Sequence, residues 1–205
     1  MGKVVMPKNS ALENEILAVL KIYYEEGDWL KNSDYVERLK KIIGDGQYSS
    51  SYTKKSQMTS YFGFTTWEDY KNNQSRRRIT ERGKKFYLAW SKNNSEEMHE
   101  QIILSIEENI FGRRNCGCSE SDSDIEVPSL VIRAILDLGY ITYKEFALLL
   151  WNMEHCGKGY TDAIVEVKNS RSNGQFQLSS DANKYTDAKP IMMMIRWGVL
   201  QEDGK

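Results

Sequence analysis

Cysteine is scarce: Cys116, Cys118 and Cys156 are the three in 205 residues. So few, so unevenly spaced, exclude a disulfide framework and fit a reducing compartment. The CGC of Cys116 and Cys118, with His155-Cys156 far downstream, is not an established zinc-ligand spacing, so unpaired thiols are the expected state. Long apolar runs are lacking as well. None approaches the roughly 20 residues needed to cross a bilayer, and the opening MGKVVMPKNSALEN has no apolar secretory core. The expectation is a cytoplasmic protein with no membrane partner. No Gly-rich phosphate loop of the P-loop or dinucleotide type occurs either. What remains is 40% hydrophobic and 28% charged, the balance of a globular chain long enough for one large domain or two small ones.

The formal net charge of −1 hides a division. Residues 1–92 carry 17 Lys/Arg against 11 Asp/Glu, a net of +6, whereas residues 93–205 carry 11 against 18, a net of −7. Within the first part, residues 47–92 hold ten basic and three acidic side chains. Such clustering is the footprint of a polyanion-binding face, and a phosphate backbone is the expected partner.

The order of elements gives that charge a setting. From Ala11 to Tyr24, Leu12, Ile16, Val19, Leu20 and Tyr23 recur at spacings of three and four, which predicts a helix ended by Gly27. Asn32 or Ser33 can cap a second helix with Val36, Leu39, Ile42 and Ile43 on its buried face, stopped by Gly44 and Gly46. In YTKKSQMTSYFGF a third helix buries Met58, Tyr61 and Phe62 and turns Lys54, Lys55, Gln57, Thr59 and Ser60 outward. Two short strands around KNNQS follow, the second being RRRI, and Thr80 caps a helix with Gly83, Phe86, Tyr87 and Trp90. Three helices, a hairpin and a helix form the order of a winged helix-turn-helix unit, whose third helix can enter the major groove of DNA. Lys, Gln, Thr and Ser on that helix can hold phosphates and read base edges, and Arg76, Arg77 and Arg78 add charge on the wing. The alternative is a solvated basic run, since alternating strand faces leave at least one of these arginines over the core. Tyr61, Phe62, Phe64 and Trp67 are expected to pack in the core rather than stack on bases.

The expected domains are 1–95, a first winged helix; 96–126, a connecting helix (Met98, Ile102, Ile103, Ile106, Ile110) and the linker GRRNCGCSESDSD; and 127–205, a second such module. In that module Pro128 opens one helix and Thr142 caps another burying Phe146, Leu149, Leu150 and Met153. GYTDAIVEVKNSRSN reads as a third helix, although AIVEV could equally be a strand. A polar approach with Asn183, Lys184, Tyr185 and Lys189 as further DNA contacts then leads to a helix packed on Ile191, Met194, Ile195 and Trp197. VLQEDGK looks like the first strand of a wing broken off at the chain end, as in an N-terminal fragment. The expected fold class is therefore mainly α with small β-hairpins, as tandem winged helix-turn-helix modules.

The junction Ile79-Thr80-Glu81-Arg82-Gly83 with GKKFYLAW resembles the wing-to-helix junction of winged-helix modules. Together with the inserted helices and the segment TDAKPIMMMIRWGVLQEDGK, roughly residues 10–205 are similar to the DNA-recognition region of type IIS restriction endonucleases of the FokI and AlwI kinds. The resemblance implies sequence-specific binding of double-stranded DNA here, no cofactor in this chain, and cleavage by a separate Mg²⁺-dependent PD-(D/E)xK domain in a longer parent. Catalysis within this chain would need Glu166 and Lys168 of DAIVEVK as a nuclease motif, but Asp137 and Asp162 are poorly spaced partners for it. A winged-helix transcription regulator and a protein-interaction module are the other classes.

Overall fold

The computed structural model describes residues 4, 6–7, 12–46, 49–68, 75–108, 125–174 and 176–203. It is mainly helical, with one small antiparallel sheet among the described residues. The chain divides into two compact units, Val5–Glu120 with Met192–Lys205, and Met1–Val4 with Ser121–Ile191.

In the first unit, α1 (Glu13–Glu26) buries Ile16, Val19, Leu20 and Tyr23, the stripe its spacing predicts, and ends at Gly27 with φ 72°. β1 (Leu30–Lys31) leads directly into α2 (Asn32–Ile43), so Asn32 is helical rather than a cap. Leu39 and Tyr35 supply the buried face of α2, while Ile42 is exposed, against expectation. The predicted third helix is two pieces, α3 (Ser49–Lys55) and α4 (Gln57–Tyr61). At the break the Ser56 hydroxyl donates to the Thr53 carbonyl at 2.8 Å, a local bond that competes with the helical ladder. The Tyr52 hydroxyl donates to Gly44 O at 2.7 Å and accepts from Gly46 N at 3.2 Å, tying α3 to the end of α2.

β2 (Thr65–Trp67) and β3 (Arg76–Ile79) complete a sheet ordered β1-β3-β2, with Leu30 opposite Arg77, Lys31 opposite Arg76, and Thr66 opposite Arg78. Thr80 then caps α5 (Glu81–Ser91), accepting from Gly83 N at 3.0 Å. A Cβ at Gly83 would lie 2.0 Å from Phe64 O, so only glycine lets α5 come this close to the chain leading into β2. α6 (Ser95–Glu107) packs on α5 and donates from the Ser105 hydroxyl to Phe62 O. Ile110 and the linker lie outside the described residues.

The other unit contains α7 (Val127–Leu138), α8 (Tyr143–His155), α9 (Tyr160–Ser172), a 3-10 helix (Ala182–Thr186) and the start of α10 (Lys189–Arg196). AIVEV is helical, and no strand occurs among this unit's described residues. Residues 199–203 are not a strand either: Val199 N and Leu200 N both turn back to Met194 O, at 2.9 and 3.2 Å. These residues also belong with the first unit rather than with 127–191. The physical reason is Trp197, whose ring meets Phe62 at 4.9 Å and Phe86 at 5.3 Å, in the aromatic core that also contains Phe64. Trp197→Ala should therefore cost the first unit about 3–5 kcal/mol, read as a lower urea midpoint by circular dichroism; an unchanged midpoint would contradict this packing.

Candidate nucleic-acid interface

The predicted contact residues separate sharply by burial. On α3, Lys54 is exposed, but Lys55 is largely covered and its ammonium lies 2.5 Å from Glu15 on α1. Glu15 also accepts from Leu12 N at 3.1 Å, so Lys55 is committed to holding α3 on α1. Gln57 is half-buried at the start of α4. Thr59 and Ser60 are fully buried, a correction to the expected outward direction. Both hydroxyls bond the Thr65 hydroxyl, at 3.0 and 2.7 Å, which fastens α4 to β2 and removes them from any ligand.

The three arginines of β3 follow the strand alternation. Arg77 is buried with its guanidinium 3.7 Å from the Trp67 ring centre, so it too is corrected from surface to interior. Arg76 and Arg78 face solvent. Arg76 donates from both Nε (2.5 Å) and an η nitrogen to Glu68. Arg78 lies 4.7 Å over Trp29. Tyr61, Phe62, Phe64 and Trp67 are all buried, as expected of core aromatics.

The contacts predicted near the end of the chain are mostly occupied. Lys184 pairs with Asp181 and Lys189 with Asp187, each at 2.5 Å. Tyr185 donates to the buried Glu154, which accepts also from Val4 N at 2.7 Å; burial and that carboxylate push the tyrosine hydroxyl well up. Asn183 is exposed. Sequence reasoning overlooked Lys31 and Trp29, which reach the arginine face through β1. A two-residue strand has no periodicity to reveal it, and its pairing is long-range.

The nuclease alternative has no geometry here. Glu166 and Lys168 lie on a helix, Glu166 accepts from Asn152 (2.9 Å) and pairs with Lys158, and Asp137 accepts from Tyr160, about 9 Å of helix rise from Glu166. Among the described residues no three His, Cys, Asp or Glu side chains are grouped to hold a metal ion, and no helix is long and apolar enough to cross a membrane. No protein-family model, no characterised protein and no solved structure matches the chain.

The helical unit has its own electrostatic anchor. Arg171 grips Glu145 through Nε at 2.8 Å and an η nitrogen at 3.0 Å, while Thr142 N donates to the same carboxylate at 2.7 Å. Burial raises the Glu145 carboxyl, but these donors outweigh it and hold it below the usual glutamate range. A carboxyl lower in the folded than in the unfolded state stabilises above its unfolded value, and that contribution is lost as pH falls through the folded one. Glu145→Gln should therefore melt below the wild type near neutrality, with the gap closing on acidification. A gap independent of pH would sink the assignment.

Proposed function

We propose that the first unit is a winged helix-turn-helix module that binds double-stranded DNA sequence-specifically, and that the chain serves as the recognition part of a type II restriction endonuclease. One observation carries the reading: a strand inserted between the first two helices pairs with the returning strand of the hairpin, closing the sheet as β1-β3-β2 beside α1 to α4. A helix-turn-helix flanked by such a hairpin presents its third helix to the major groove and its wing to the backbone. The charge division supports the same partner, because residues 47–92, which span α3 to α5, hold ten basic against three acidic side chains. Lys54 is the phosphate contact of α3, Gln57 the base reader at the start of α4, and Arg76 and Arg78 the wing contacts. Recognition is assigned to this unit because the basic excess lies in residues 1–92, whereas residues 93–205 carry a net of −7.

Fluorescence anisotropy with labelled duplexes tests this. Affinity should fall on the order of tenfold or more between roughly 50 and 200 mM salt if several phosphates are neutralised. Lys54→Ala should weaken binding to every duplex, and Gln57→Ala mainly to the preferred one. Selection should return a non-palindromic site; a palindrome protected by a dimer would favour a transcription regulator. No binding to any duplex at low ionic strength would refute the proposal.

A further inference from the structure

The solvent face of the three-stranded sheet gathers like charges. Lys31 on β1 stands directly opposite Arg76 on β3, and like charges in that position are destabilising. Arg78 lies about 7 Å further along the same face, opposite Thr66. Lys31 and Arg78 are exposed and make no salt bridge among the described residues. Arg78 is nevertheless held in place by the Trp29 ring, which orients a guanidinium without neutralising it. Among the described residues the acidic groups nearby are Glu68, bonded to Arg76; Asp28, whose field Arg76 feels; and Glu81, which feels Arg78 and is itself bonded to Lys84.

We infer that Lys31 of β1 extends the wing contact of Arg76 and Arg78 into one outer face against the backbone of duplex DNA, separate from α3, with Glu68 occupying on Arg76 the place a phosphate takes in the complex. The inference rests on the proposed DNA reading and adds a residue and a device to it. Carboxylate and phosphate offer arginine the same paired acceptor oxygens, so one can replace the other on Arg76 without moving its guanidinium. A row of cations along a strand fits the repeated single charges of a phosphate backbone and carries no base-reading chemistry.

Anisotropy titrations against the preferred and a random duplex, over a range of salt, test it. Lys31→Ala and Arg78→Ala should each reduce the slope of log affinity against log salt by about 0.9, the value for one phosphate, and weaken both duplexes by the same factor. Glu68→Gln should strengthen binding to both, because the competing carboxylate charge is gone. Lys21→Ala, exposed on α1 beside Glu25, should change nothing. Lys31→Gln repeats the measurement if the shorter side chain unsettles β1. An unchanged slope for the Lys31 variant, in a protein whose binding Lys54→Ala and Arg78→Ala still weaken, would overturn the part given to Lys31 and leave the DNA reading standing; an unchanged slope for the Arg78 variant as well would remove the wing contact with it. Unchanged or weaker binding by Glu68→Gln would overturn the role of Glu68. Absence of wild-type binding would remove both readings together.

Discussion

The inward turn of Arg77 is the constraint from which the surface of the first unit follows. Its side chain occupies the middle of the sheet, opposite Leu30 on one neighbour and Trp67 on the other, and lies against the Trp67 ring. Its charge reaches the stacked pair Tyr23 and Tyr35: burial pushes the Tyr23 hydroxyl up to about 12, and the Arg77 charge works in the opposite direction. Because successive strand residues point to opposite faces, an inward Arg77 sends Arg76 and Arg78 outward, and pairing with β1 adds Lys31 beside them. A slip of one residue would bury two arginines and expose one. The register therefore decides both what the core must accommodate and what the solvent face can offer.

Local periodicity made part of this fold legible. The stripe Ile16, Val19, Leu20, Tyr23 announces α1, Thr80 and Thr142 announce α5 and α8, and the polar KNNQS between apolar runs announces the hairpin. What stayed hidden is long-range or depends on a single side-chain bond. Ser56 divides the third helix because its hydroxyl finds Thr53 O, and Thr59 and Ser60 turn inward because Thr65 waits there with a hydroxyl. Helical spacing alone could not separate those two from Lys54. Trp197 joins a core assembled from residues more than a hundred positions earlier, which no window along the chain can anticipate.

The same distinction sorts the candidate contacts. Charge counts treat Lys54 and Lys55 alike, yet one is exposed and the other is fixed to Glu15. They also treat Arg76, Arg77 and Arg78 as one run, although the middle member is structural. Residue type alone does not separate them, and burial decides which side chains reach solvent. The helical unit follows its own logic, with Arg171 bound to Glu145 and Tyr185 to Glu154, so its polar groups serve its own packing.

On the proposed reading, a duplex meets the exposed end of α3 and the outward face of β1 and β3 together. Chemical-shift mapping of the ¹⁵N-labelled chain during titration with its preferred duplex addresses that directly. Shifts should cluster at residues 31, 54, 57, 76 and 78 and leave 143–172 in place. Shifts confined to residues 183–189, or none at any duplex concentration, would contradict it.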